Sequence, residues 1–133
     1  MSSICNARDC ELLVVMTDWV DVRSASHYGG FSVEGTDLYV SSFLSGNSGD
    51  SLPLTVLVPF STFDADNDAS GSNCASIHGG GWWYTNCGDA SPNGYYYPSN
   101  DNMHSDGIIW QSWQGATYSL KSMELRVRNT ANV

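Results

Sequence analysis

Basic residues are nearly missing from this chain. Five lysines and arginines, with Lys121 the one lysine, stand against fourteen acids in 133 residues, for a net charge of −9. Neutralising a phosphate backbone takes clustered Lys and Arg, so nucleic-acid binding is excluded, and anionic membrane surfaces are disfavoured for the same reason. Charge of either sign is scarce, at 14% against the roughly 25% typical of soluble domains. Long apolar runs are absent as well. Residues 12–16 and the stretch around 52–60 are the longest, far below the ~18 residues that cross a bilayer, so no membrane insertion is expected. The first ten residues carry polar and charged side chains and no apolar signal-peptide core. The sequence has no Asn-x-Ser/Thr sequon, no Cys-x-x-Cys pair and no Gly-x-Ser-x-Gly elbow, and helical periodicity is rare.

Four cysteines in so short and acidic a chain nevertheless favour an oxidising compartment. Set beside the missing signal peptide, they point to a secreted, extracellular protein of which this chain is a fragment or an incomplete reading frame. The length allows one core. Ser, Asn, Gly, Thr and Tyr must cover the surface that charges leave open.

The clear periodicity has period two. Met123, Leu125 and Val127 alternate with Glu124, Arg126 and Arg128, which predicts an antiparallel strand with one wet face. Residues 12–16 read as a buried strand that needs neighbours on both faces, and 35–40 and 54–58 read as further strands. Between Phe60 and Gly107 the chain is almost all Gly, Asn, Asp, Ser, Tyr and Trp. A loop that long is functional or disordered. Trp82, Trp83, Tyr84, Tyr95, Tyr96, Tyr97 and two cysteines argue for order, held by metal, disulfide and stacked rings.

Three motifs carry chemistry. In Asp64-Ala65-Asp66-Asn67-Asp68, followed by Ser70 and Ser72, alternate carboxylates and nearby carbonyls supply the oxygens calcium takes, although Ala69 and Ala75 break the EF-hand pattern and an Asx-rich turn without metal is the plainer alternative. Cys74 and Cys87 bracket the Gly79-Gly80-Gly81-Trp82-Trp83-Tyr84 run. A disulfide there would contribute about 3 kcal/mol; zinc held by Cys74, His78, Cys87 and His104 is the rival. Gly49-Asp50-Ser51-Leu52, with Asp101 and His104 and with His78-Gly79-Gly80-Gly81, spells an esterase triad and oxyanion loop. Those enzymes need alternating strands and helices, which this pattern lacks, so a GDSL-like hydrolase is a remote alternative and no enzyme is expected.

The string Phe60-Ser61-Thr62-Phe63-Asp64-Ala65-Asp66-Asn67-Asp68, then Asn73-Cys74-Ala75, Gly81-Trp82-Trp83-Tyr84, Cys87, Pro92-Asn93-Gly94-Tyr95-Tyr96, Gly107-Ile108-Ile109-Trp110 and Tyr118-Ser119-Leu120-Lys121 closely resembles the fibrinogen-related domain family. Thr17-Asp18-Trp19, Ser26-His27-Tyr28, Phe31-Ser32-Val33 and the 46–52 turn resemble its middle region. The resemblance runs from about Glu11 to Arg128 and lacks the family's N-terminal subdomain. Residues 1–10 stay unassigned, and Cys5 and Cys10 are expected to pair with each other, stay free or link chains.

The resemblance implies a loop-rich α+β fold, with a central antiparallel sheet over 11–60, calcium and ligand loops over 61–107 and C-terminal strands over 108–128. It implies a Cys74–Cys87 disulfide and calcium held by Asp66, Asp68 and the carbonyls of Ser70 and Ser72. Fibrin-type peptide binding uses carboxylates that fall at His78 and near Ser105, neither acidic here. Ficolin- and tachylectin-like members bind acetyl groups beside the second cysteine, which implies a site of His78, Asn86, Cys87, Gly88, Tyr95, Tyr96 and His104, built on a cis Asn86-Cys87 peptide. The function implied is calcium-dependent recognition of acetylated glycans of the innate-immune kind. An angiopoietin- or tenascin-type protein-binding role is the alternative. The native full-length protein is expected to be oligomeric.

Overall fold

A computed structural model describes residues 5–98 and 101–130. Its centre is strand β1 (Cys10–Thr17), flanked on both sides by antiparallel partners, β2 (Arg23–Glu34) and β7 (Ser122–Asn129). With β3 (Asp37–Tyr39) and β4 (Ser42–Ser45), both on β2, they form a five-stranded sheet of order β3-β2-β1-β7 with β4 beside β2. β5 (Ala90–Ser91) and β6 (Ile109–Trp110) make a separate pair, and α1 (Cys74–His78) and α2 (Gln111–Gln114) are single turns. The α+β, loop-rich class follows directly.

Strand alternation sorts β1. Leu12, Val14 and Met16 are at most 1% exposed and enter the core, while Glu11, Leu13 and Val15 take the other face. Cys5 pairs with Cys10 at the head of β1, which settles the three alternatives open in the sequence. β2 is one continuous strand because Gly30 absorbs a bulge: the register against β1 slips between Cys10 and Glu11, and Gly30 lies at φ +62. Beyond it, Gly35 and Thr36 form the two-residue turn into β3, with Gly35 at φ +68.

Tyr28, fully buried, joins the sheet to the loops. Its hydroxyl donates to Asp50 Oδ1 (2.9 Å) and accepts from Ser51 N (3.2 Å), and its ring meets Phe43 and Trp110 edge-on at 5.4 and 6.3 Å. Burial, with the Asp50 carboxylate beside it, pushes this phenol far above its ordinary range. Trp83 makes a second tie, donating its indole N–H to Thr36 O (2.8 Å) and packing on Phe60 at 5.3 Å and Trp82 at 4.8 Å. The long loop is therefore ordered by aromatic packing, as its composition suggests.

Two strand expectations change. Residues 54–58 do not form a strand; within them only Val58 is bridged, exchanging both backbone bonds with Leu38 (2.9 Å each). Pro53 and Pro59 bracket the run and donate nothing, and Thr55 sits at φ +62, so a ladder cannot extend. The strand with one wet face is present as β7, but only Met123 of its apolar side packs on the core; Leu125 and Val127 stay 38% and 44% exposed. β7 is an edge among the described residues, and the core stops short of it.

Removing the Tyr28 hydroxyl leaves the buried Ser51 N–H without its acceptor. Tyr28→Phe should cost about 1–3 kcal/mol, read as a lower denaturant midpoint at unchanged m-value; an unchanged midpoint would mean that the 49–52 turn is not held this way.

Candidate functional site

The Asp-rich loop is a run of side-chain-to-backbone turns. Asp66 Oδ1 accepts from Asp68 N (3.2 Å), Asp68 Oδ1 from Ser70 N (3.0 Å), and Ser70 Oγ from Ser72 N (3.0 Å). Short polar side chains that bond two residues ahead make such turns. The second oxygen of Asp68 accepts from Cys74 N (3.0 Å) and joins the loop to α1. Asn73 then caps that helix, accepting from Ser76 N (3.1 Å) while donating to Phe63 O (2.8 Å). The turns use side-chain oxygens, so the Ser70 and Ser72 carbonyls take no hydrogen bond among the described residues. Two carboxylates and two open carbonyls thus line one short loop, a hard-oxygen set that suits calcium, with water completing its six to eight ligands. Among the described residues no three His, Cys, Asp or Glu side chains cluster as a metal site, in this loop or elsewhere, so the set here is two carboxylates and backbone oxygens.

Cys74 and Cys87 are joined, which removes the zinc alternative because both sulfurs are committed. α1 ends at Gly79, whose φ of +83 and N–H to Ala75 O close the helix. A Cβ there would come within 2.5 Å of the Tyr95 ring, so Tyr95 lies directly on Gly79. Beneath, Asn93 Nδ2 donates to Gly81 O (2.9 Å) and the Tyr84 hydroxyl to Gly80 O (2.6 Å). The triple glycine is a place of close backbone approach and not an oxyanion loop.

The expected cis bond before Cys87 is absent: the described residues contain no cis peptide. Instead Cys87 at φ +53 and Gly88 at φ +86 are two consecutive left-handed residues that turn the chain, so the ligand site is not built on a cis bond as the resemblance implied. Asn86, Cys87 and Gly88 therefore follow the disulfide round a tight turn, anchored upstream where Ala69 N donates to Thr85 O (2.9 Å).

His78 and His104 each stack on a tyrosine. His78 lies on Tyr84 at 5.8 Å with Nδ1 3.2 Å from Ser105 O, and His104 lies on Tyr97 at 3.8 Å with Nε2 2.8 Å from Asp101. Tyr97 donates to Asp106 Oδ1 (2.7 Å), which raises its phenol to about 12, and Asp106 O accepts from Tyr95 N (2.9 Å). The Ser105 contact places His78 beside the residue that follows His104 in the chain. Tyr95 and Tyr96 part company: Tyr95 covers Gly79, whereas Tyr96 turns to Trp19 at 5.9 Å. A cavity of about 470 Å³ opens under Tyr95, lined by Phe63, Asp64, Ser76 and the three glycines. Phe63 was missed in the sequence, where an aromatic inside an Asp-rich loop, 73% exposed here, was its signal.

The esterase lookalike is structural. Ser51 is buried, donates its hydroxyl to Ser112 Oγ (2.7 Å) and accepts from Ser112 N (3.0 Å), while Asp50 serves Tyr28 and Leu52 N. Among the described residues no base bonds Ser51, and Asp101 and His104 pair with each other elsewhere.

Closing the 74–87 loop in the unfolded chain should stabilise the fold by about 3 kcal/mol. A Cys74→Ala, Cys87→Ala double variant should lose roughly 2–5 kcal/mol in chemical denaturation; a loss below 1 kcal/mol would show that the loop holds without its crosslink.

Over residues 1–130 the chain matches the family described as fibrinogen beta and gamma chains, C-terminal globular domain. It is 38% identical over 127 residues to Fibrinogen C domain-containing protein 1 of Mus musculus, covering 89% of this chain and 28% of that protein. It is 37% identical over 125 residues to Angiopoietin-related protein 6 of Mus musculus, covering 90% and 27%. The fibrinogen-like globe domain of human ANGPTL6 superposes with a TM-score of 0.84 at 35% identity, covering 91% of this chain and 57% of that one. The chain thus spans under a third of those curated relatives and just over half of the solved globe. Among the described residues no helix is long and apolar enough to cross a membrane. On sequence and fold together, the chain belongs to the fibrinogen C-terminal globular domain family.

Proposed function

We infer that this chain is a calcium-dependent extracellular recognition module and not an enzyme, and that its ligand is an acetylated glycan. One observation carries the reading: the Asp-rich loop and the Tyr95–Gly79 contact border the same cavity. Calcium on Asp66, Asp68 and the Ser70 and Ser72 carbonyls would fix the loop. The loop in turn fixes α1 through Cys74, and α1 fixes the glycine on which Tyr95 lies. An acetyl methyl suits the faces of Tyr95 and Phe63, and the polar lining of Thr62, Asp64 and Ser76 suits sugar hydroxyls. Calcium acts by holding the wall, without touching the ligand. Two disulfides and −9 net charge suit an extracellular setting.

A protein ligand is the second reading. It is favoured by a relative named as angiopoietin-related and by the exposed Phe63, Ile77, Tyr95, Tyr96 and Met103 around the loops.

Calorimetry should show calcium heat in the wild type and none in Asp66→Ala; equal heats would move the metal elsewhere. On multivalent arrays, N-acetylated sugars should bind in calcium, lose binding in chelator, and bind at least about tenfold more weakly to Tyr95→Ala, whose calcium heat stays intact. Intact calcium binding with no acetylated sugar retained would leave the protein-ligand reading in its place.

A further inference from the structure

Phe63 and Asp64 are the two central residues of a turn closed from both sides: Thr62 N donates to Ala65 O and Ala65 N to Thr62 O, at 3.1 Å each. Asn73 Nδ2 holds the Phe63 carbonyl (2.8 Å), which ties the turn to the start of α1. Both turn residues line the cavity under Tyr95. Gly79 backs the Tyr95 ring from one side, and Tyr95 and Phe63 both stay exposed. Two aromatic side chains therefore stand at one cavity on backbone that is already fixed, so little ordering cost remains for a ligand.

Among the described residues Asp64 is the one charged residue on the cavity wall. Its Oδ1 accepts from the Thr62 hydroxyl (2.7 Å), and Oδ2 takes no hydrogen bond among the described residues. None of the ion pairs among those residues includes Asp64. The sequence has no Lys or Arg between Arg23 and Lys121, so the whole loop half lacks a basic side chain of its own. Calcium on Asp66 and Asp68 would offset their charges and leave Asp64 uncompensated. A carboxylate beside aromatic rings suits a cation with an apolar body, because ring faces carry negative potential and also bury C–H groups. An alkylammonium has both properties, whereas an anionic ligand would be repelled. The volume of about 470 Å³ lies within the roughly 300–1,000 Å³ of small-molecule sites and exceeds what one acetyl group fills.

We propose that this cavity also holds an organic ammonium group, paired with Asp64 and walled by Tyr95 and Phe63, and that its glycan is therefore partly N-acetylated, an acetamido sugar beside one with a free, protonated amine. This rests on the glycan reading of the same cavity and narrows it. The site is separate from the positions of the fibrin-type carboxylates, His78 and near Ser105, neither of which lines the cavity.

Two measurements on the disulfide-intact 133-residue chain in calcium and low salt test this. The first compares glucosamine oligosaccharides of equal length, fully and half N-acetylated. The wild type should bind the half-acetylated one about fivefold more tightly, the gain expected of an exposed ion pair. In Asp64→Asn that ratio should fall to about one, with calcium heat retained as the check that the loop is folded. The second titrates methylammonium chloride against sodium chloride of equal ionic strength. Methylammonium alone should shift the Phe63 and Tyr95 ring resonances of the wild type, and not those of Asp64→Asn. Equal binding of the two oligosaccharides, a preference that survives in Asp64→Asn, or no shift with methylammonium would each overturn the proposal. So would loss of calcium heat in Asp64→Asn, which would assign this carboxylate to the metal. Methylammonium shifts with neither oligosaccharide bound would uphold the ammonium site and sink the glycan reading instead.

Discussion

The loop half of this molecule depends on the Asp68 carboxylate. One oxygen takes the Ser70 amide and the other the Cys74 amide, so a single side chain joins the loop to the first residue of α1 and to the disulfide behind it. Bonds to an ionised acceptor are about twice as strong as neutral ones, and half-burial shields these from water. The rest follows in sequence: α1 places Gly79, Gly79 admits the Tyr95 ring, and the ring roofs the cavity. Asp66 has a lighter structural duty. It is exposed and holds one amide, which leaves most of its lone pairs free for a cation.

The sheet half is legible in the sequence where polarity alternates and hidden where it does not. β1 and β7 announce themselves through apolar residues at period one or two. β2 does not, because its buried positions include Ser26, Ser32 and Gly29, small residues that carry little hydrophobic signal yet let β1 and the turns around Ser48 and Gly49 approach closely. Residues 54–58 mislead in the opposite way. They are apolar, but prolines on both sides and a left-handed Thr55 keep them out of the ladder, and Val56 and Leu57 end up half exposed. Apolar content reports what can be buried, and backbone donors decide what pairs.

At the site, the sequence marked the Asp-rich loop by its composition and the Cys74–Cys87 bond through the family resemblance. It did not reveal direction. Tyr95 and Tyr96 are neighbours with the same side chain in the sequence, and in the fold Tyr95 occupies the space that Gly79 leaves open while Tyr96 meets Trp19. The geometry at Cys87 departs from the cis bond that the resemblance implied: the chain uses two consecutive residues at positive φ. The GDSL string shows the converse. A short motif of small polar residues forms a buried turn when a tyrosine hydroxyl from the sheet, Tyr28, reaches its aspartate.

Amide hydrogen exchange in the presence of a chelator tests the central claim most directly, because the Asp68 bonds belong to the chain and not to any metal. In Asp68→Ala the Ser70 and Cys74 amides should exchange roughly tenfold or more faster than in the wild type, the loss expected for hydrogen bonds to a charged acceptor. The amides of β1 should keep their protection. Unchanged exchange at Ser70 and Cys74 would contradict the account and show that the loop is held by something other than this carboxylate.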